Sequence, residues 1–167
     1  MFRIATDPVP GSLARLIGLQ AEWYARHWNF GLPFEAKVAA ELGAFAASLP
    51  RADSRLFLAL DGQGSVQGGL ALDGREGRRA RIRWFILAEP ARGGLGRRLL
   101  AAALDFADAR GVEEVWLTTF AGLEAARRLY ESAGFSLVKE EPETGWGAPV
   151  TGQTFARAFP GAARPVG

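Results

Sequence analysis

An apolar run leads into a glycine cluster, and the cluster leads directly into an amphipathic helix. Residues 81–87 (Arg81-Ile82-Arg83-Trp84-Phe85-Ile86-Leu87) begin by alternating and end fully apolar. Arg92-Gly93-Gly94-Leu95-Gly96-Arg97-Arg98 follows closely, and Leu99, Leu100, Ala103, Leu104 and Ala107 then repeat on one face of a helix reaching about residue 110. A strand that turns into a helix this abruptly belongs to a sheet covered by helices. The apolar end of the strand is expected to be buried on both faces.

Taken alone, the loop allows two readings. Three glycines strip side chains from a helix start whose free N–H groups and macrodipole favour an anion. Arg92, Arg97 and Arg98 add positive charge, so the loop suits a pyrophosphate. Equally, a tight strand-to-helix turn needs glycine for its dihedrals alone. Two other phosphate loops do not match. A Walker A loop needs a Gly-Lys-Ser/Thr ending, and no lysine or hydroxyl is present here. A dinucleotide fingerprint needs a glycine where Leu99 stands and an acid near Thr119-Phe120.

The rest of the chain supplies a mixed α/β order. Residues 2–6 suggest a short strand, Ser12 a helix cap, and residues 13–28 a helix. Asn29-Phe30-Gly31-Leu32-Pro33 reads as a turn before a second helix over 34–48. Strands are expected over 55–60 and 65–72 around Asp61-Gly62-Gln63-Gly64. Another is expected over 115–120, then a helix over 122–132, then strands over 135–140 and 151–159 around a loop from Pro142 to Pro149. This is α+β rather than a repeating βαβ pattern: a mostly antiparallel mixed sheet of about seven strands flanked by about four helices. With 167 residues, 49% hydrophobic and 23% charged, one domain over 1–160 and a frayed tail over 161–167 are expected.

Composition removes several chemistries. The chain has no cysteine, which excludes thiol nucleophiles, thiolate metal sites and disulfides. One histidine, His27, cannot build a multi-histidine metal centre, and no metal is expected. Neither a signal peptide nor a membrane span is apparent, so a cytoplasmic location and no membrane partner are expected. Lys37 and Lys139 are the only lysines among 20 basic residues, which leaves 18 arginines, yet net charge is only +2. The basic run from Arg75 to Arg81 is read as a solvated hairpin and nucleic acid is not expected as a partner.

Downstream stands Ala125-Ala126-Arg127-Arg128-Leu129-Tyr130-Glu131-Ser132-Ala133-Gly134-Phe135. Together with the glycine loop it resembles the GNAT acetyltransferase superfamily over roughly residues 54–140. Arg-Gly-Gly-Leu-Gly is similar to that family's acetyl-CoA pyrophosphate motif, and Leu-Tyr-Glu-x-x-Gly-Phe to its second motif. More narrowly, Phe34-Glu35-Ala36-Lys37-Val38-Ala39, Arg83-Trp84-Phe85-Ile86 and Thr119-Phe120-Ala121-Gly122-Leu123 resemble the acetyltransferase half of bacterial regulators fused to a winged helix-turn-helix. The chain is read as a stand-alone equivalent of that half. It departs from the family at Ala91, where a Gln or Arg is usual, and at Leu123, where an Asn is common.

The resemblance implies a GNAT fold and direct acetyl transfer from acetyl-CoA to a primary amine of a small molecule or peptide. It also allows a homodimer. It places the diphosphate on Arg92, Gly93, Gly94, Leu95, Gly96, Arg97 and Arg98. Backbone groups of Phe85, Ile86 and Leu87 are placed along the pantetheine arm, and Tyr130 as general acid toward the departing thiolate. The base stays open among Glu22, His27, Glu35 and a water. His27, Trp28, Glu35 and Trp146 are expected at the acceptor, with Trp146 lidding an apolar or aromatic amine from its Gly/Pro loop. A non-catalytic acyl-CoA sensor is the alternative.

Overall fold

The computed structural model describes residues 1–91 and 93–161. The chain runs β1 (Arg3–Ala5), α1 (Ser12–Trp28), α2 (Leu32–Ala47), β2 (Arg55–Leu60), β3 (Val66–Asp73) and β4 (Arg79–Leu87). After a short 3-10 turn at Glu89–Ala91 come α3 (Leu95–Ala109), β5 (Glu114–Phe120), α4 (Glu124–Ser132), β6 (Ser136–Glu143) and β7 (Val150–Ala158). One seven-stranded sheet has the order β1-β2-β3-β4-β5-β7-β6. Its neighbours are antiparallel except β4 and β5, which are parallel. The expected α+β class and its mostly antiparallel sheet are what the chain adopts. The expected tail beyond Gly161, like Arg92, lies outside the described residues.

Helices cover both faces of the sheet centre. Both α1 and α3 pack on β3, whose Gly68 through Asp73 are all buried, as consecutive strand residues can be only when both faces are covered. Leu16 from α1, Leu42 and Phe45 from α2, and Leu99, Leu100 and Ala103 from α3 are at most 1% exposed. Glycine lets the strands approach closely here. A Cβ on Gly69 would lie 2.6 Å from the Phe57 carbonyl oxygen, and one on Gly68 would run into that of Ile86.

Several local expectations shift. Ser12 is not the cap of α1: Gly11 holds that position at φ 88°, and the Ser12 hydroxyl instead donates to the Val9 carbonyl at 2.6 Å. Leu32 and Pro33 belong to α2, because proline suits the first turn, where no N–H is needed. Strand β6 runs on through Pro142 to Glu143; it is the sheet's edge, so the missing N–H costs no ladder bond. The basic run is the β3–β4 hairpin. Arg75 pairs with Asp73 at 2.7 Å, Arg78 with Glu113 at 3.6 Å and Arg79 with Glu114 at 2.7 Å.

The largest correction concerns the apolar end of β4. Only Arg79, Ala80 and Arg81 pair with β5, opposite Glu114, Val115 and Trp116. On its other side β4 bulges: Ala71 faces Arg83 while Gly69 faces Ile86, so Leu70 alone spans Trp84 and Phe85. Trp84 takes φ 53° there, a conformation costing on the order of 1–3 kcal/mol for a non-glycine residue. Beyond the bulge Trp84, Phe85 and Leu87 are half-buried. Expected to be enclosed on both faces, they instead border an opening, because their would-be neighbour strand has diverged.

Gly69→Ala should lower unfolding free energy in urea by about 1–3 kcal/mol through overpacking. Gly62→Ala, in a turn with no atom within 4 Å of the added carbon, should stay within about 0.5 kcal/mol of the parent.

Candidate active site

Two cavities meet where β4 parts from β5. The larger, 660 Å³, is bounded by Phe85, Ile86 and Leu87, by Trp23, His27 and Trp28 of α1, and by Leu123 through Ala126 and Leu129 around the start of α4. The smaller, 350 Å³, lies against Phe34, Lys37 and Glu41 of α2, Arg81 and Arg83 of β4, and Glu141, Glu143 and Trp146 near the β6–β7 hairpin. Tyr24, Phe85, Thr119 and Tyr130 border both. The wedge is thus a passage open to different chemistry on its two sides: mostly apolar in one cavity, charged and aromatic in the other.

Tyr130 reaches the junction from α4. Its ring packs 6.3 Å from Phe85, 6.0 Å from Phe135 and 6.2 Å from Phe155, and the residue is 7% exposed. Tyr24 arrives from α1, with Phe30 stacked at 5.7 Å and Phe34 at 4.9 Å. Burial disfavours the phenolate at both. Tyr24 is pushed up to about 12, and Tyr130 is raised further by desolvation and by the proximity of Tyr24. Both phenols therefore hold their protons across neutral pH and are available as donors.

The glycine loop does not itself line the larger cavity but meets it through Gly96, which lies against Leu87 and Leu129 of its wall. Gly93 and Gly94 have φ 119° and 87°, and a Cβ on either would meet no atom within 4 Å. Backbone conformation, not crowding, requires glycine there, and the result is an exposed, side-chain-free start to α3. Gly96 plays a different part: its Cβ would come 3.2 Å from Leu87 and 3.5 Å from Leu129, so its absence lets α3 approach β4 and α4. The first helical N–H groups, from Leu95 through Arg97, have no intrahelical acceptor and point outward from that bare surface. Such an arrangement accepts a diphosphate through backbone donors. Leu95 is buried and Arg97 exposed. Arg98 donates to the Phe2 carbonyl at 3.1 Å, tying α3 to the N-terminal segment. Arg92 lies outside the described residues.

The residues expected at an acceptor do not gather. Trp146 borders the smaller cavity, 5.6 Å from both Phe34 and Phe120, with Lys37 5.4 Å above its ring. His27 and Trp28 border the other cavity instead, because the last turn of α1 faces α4: Trp28 lies against Gly122, where a Cβ would come 3.3 Å from its ring. His27 meets Glu89 at 3.3 Å across an exposed gap. Glu35 borders neither cavity; it sits exposed in the first turn of α2. Glu22 is likewise exposed. The smaller cavity's Gln20, Arg81, Arg83, Glu141 and Glu143 were missed. The alternation at the start of β4 was the signal for the two arginines, whereas β6 was read as ending before Glu141.

Among the described residues no cluster of His, Asp or Glu could hold a metal, and no helix is long and apolar enough to cross a membrane.

A mixed sheet whose parallel pair splays above a glycine-started helix defines the GNAT architecture. The family model for the acetyltransferase (GNAT) family matches residues 19–135. The chain belongs to the GNAT acetyltransferase family, whose members take their acetyl group from acetyl-CoA. No curated protein matches the chain. Among solved structures it is similar to a GNAT acetyltransferase of Staphylococcus aureus, with a TM-score of 0.78 at 15% identity over 95% of this chain and 99% of that one. A Salmonella typhimurium acetyltransferase solved with acetyl-CoA gives a TM-score of 0.72 at 17% identity, covering 99% of this chain and 98% of that one. The ribosomal-protein alanine N-acetyltransferase of Escherichia coli gives 0.71 at 22% identity, covering 100% and 99%.

Tyr24 and Tyr130 are the chain's two tyrosines. Absorbance at 295 nm should therefore show no tyrosinate step near the ordinary phenol midpoint of 10.0 in the native protein; the rise should come at about pH 12 or on alkaline unfolding. Because both folded values are raised, their contribution to stability is complete below pH 10 and declines as pH climbs beyond it, where only the unfolded chain ionises. Urea midpoints measured from pH 8 to 11 should fall over the upper part of that range.

Proposed function

We propose that the chain transfers acetyl directly from acetyl-CoA to a primary amine, with the thioester arriving through the larger cavity and the amine through the smaller. The observation that carries this reading is the meeting of the two cavities at Tyr130. A group delivered along Phe85 to Leu87 from one side would face an amine delivered from the other, at the single place both border. Acetyl-CoA supplies an acyl group activated as a thioester.

In this reading the bare N–H groups from Gly93 to Arg97 take the diphosphate, and exposed Arg97 adds charge. Arg92 completes the set assigned to this loop. Beyond the bulge, backbone groups of Phe85, Ile86 and Leu87 are free of β5 and hold the pantetheine arm by strand-like hydrogen bonds. One of their amides polarises the thioester carbonyl as negative charge develops on its oxygen. The nitrogen–carbon bond forms as the carbon–sulfur bond breaks. The Tyr130 hydroxyl gives its proton to the departing sulfur and recovers one from solvent, and the amine loses its proton to water. Burial keeps Tyr130 protonated until that moment. Trp146 closes over the acceptor against Phe34 and Phe120, which favours an apolar or aromatic body. Leu123, at the start of α4, offers no polar contact to the cofactor, so affinity rests on the backbone amides.

Tyr130→Phe should leave the heat of coenzyme A binding near the parent value while lowering amine-dependent thiol release about 100-fold or more. Unchanged release would remove Tyr130 from the chemistry. Trp146→Ala should raise the acceptor KM several-fold while leaving coenzyme A affinity unaltered; an unchanged KM would show that the ring does not cover the amine.

A further inference from the structure

Several hydrogen-bond donors at the smaller cavity have no acceptor. Four buried side-chain nitrogens lack any partner among the described residues: Gln20 Nε2, Arg81 Nε, Trp116 Nε1 and Trp146 Nε1. All four are donors. Gln20, Arg81 and Trp146 border this one cavity, and Trp116 is the ring on which Arg81 stacks at 4.6 Å. Gln20 is 4% exposed, yet it borders the cavity, so a molecule bound there can reach its free N–H.

The cations of the cavity are not equivalent. Lys37 is held by Glu41 at 2.8 Å, and Arg83 by Glu41 at 2.8 Å and Asp73 at 3.8 Å. Arg81 has one bond, from Nη2 to the Thr118 hydroxyl at 3.1 Å, and no described carboxylate at ion-pair distance. A half-buried guanidinium with an idle Nε–H beside a second arginine is an unfavourable arrangement until an anion joins it. Desolvation and Arg83 both lower its pKa, in keeping with that. Across β5 and β7, the β6 wall carries Glu141 and Glu143, and Gly152 lies under Glu143, where a Cβ would be 2.9 Å from the carboxylate. An anion is therefore attracted at the β4 wall and repelled at the β6 wall.

We propose that the acceptor is a small molecule of the amino-acid class: a primary amine that also bears a carboxylate, bound by Arg81 and the orphaned donors, with an apolar side chain against Phe34, Phe120 and Trp146. This rests on the acetyl-transfer reading and names the substrate of its second cavity. At 350 Å³ the cavity is near the lower end of ligand-site volumes, which suits one such molecule. The two carboxylates of β6 oppose the reversed orientation, which leaves the amine on the side away from Arg81.

The test compares matched pairs on the whole protein in the presence of coenzyme A. Calorimetry measures binding of L-phenylalanine, L-leucine and L-tryptophan against their carboxamides, and thiol release from acetyl-CoA is followed with the same compounds. The acids should bind about ten- to hundredfold more tightly than the amides. Arg81→Gln should bring that ratio close to one, and Arg81→Lys, which keeps the charge and guards against a folding defect, should retain part of it. Amides binding as tightly as acids would overturn the proposal, as would failure of every acid to bind. Equal weakening of acids and amides by Arg81→Gln would also overturn it. Preferential acid binding without thiol release would uphold the recognition and instead remove the transfer reading.

Discussion

The hydrogen-bond ladder between β4 and β5 stops after Arg81, and everything the candidate site can do depends on that interruption. Two parallel strands paired along their whole length would seal the sheet and bury Phe85 and Leu87 in an ordinary core. Instead, the bulge at Trp84 and Phe85 rotates the end of β4 away from β5. The unfavourable φ of Trp84 is held in place by its packing: its ring lies 5.6 Å from Phe45, and Arg83 stacks on it at 4.1 Å. On the far side β3 has Gly68 and Gly69 opposite Leu87 and Ile86, so the displaced strand can lie close without a side chain in the way. Strain, packing and missing side chains together hold open a gap that the hydrophobic effect alone would close.

That gap also separates two electrostatic environments. Its larger chamber is framed by aliphatic and aromatic groups and adjoins bare helix N–H groups, an environment suited to a long flexible molecule with an anionic end. Its smaller chamber has three cations and three carboxylates around an aromatic floor. Glu41 matches Lys37 and Arg83, and Glu141 is held by Lys139 at 3.1 Å, which limits the field of a charged chamber. Arg81 and Glu143 have no ion-pair partner among the described residues, and they stand on opposite walls. Tyr130 stands between the chambers, surrounded by aromatic rings that keep its proton on.

Similarity to solved acetyltransferases at 15–22% identity, with TM-scores of 0.71–0.78, shows how few positions the architecture needs. Backbone requirements dominate: positive φ at Gly93 and Gly94, close approach at Gly96, and an apolar stripe on α3. Residues lining the smaller chamber are under no such backbone requirement, so their chemistry is free to differ between proteins that share the fold.

Periodicity and punctuation made the elements legible from the chain alone. The stripe on α3, the Asp61-Gly62-Gln63-Gly64 turn between β2 and β3, and glycines at other turns led to the right class and nearly the right boundaries, since these are local effects of dihedral preference and side-chain spacing. The glycine loop and Tyr130 stand out in the sequence because the motifs that carry them are short contiguous stretches. The smaller chamber does not. Its walls come from α1, α2, β4 and the β6–β7 hairpin, distant in sequence, and nothing local distinguishes Arg81, which lacks a counter-ion, from Arg83, which has two. The family resemblance places His27 and Trp28 with Trp146, but the direction in which α1 ends carries them to the other chamber. Sequence by itself therefore determined the architecture and the side-chain-free start of α3. Tertiary structure decided where β4 leaves β5 and which charges remain unmatched, because pairing and desolvation are properties of the assembled surfaces and have no signature within any one segment.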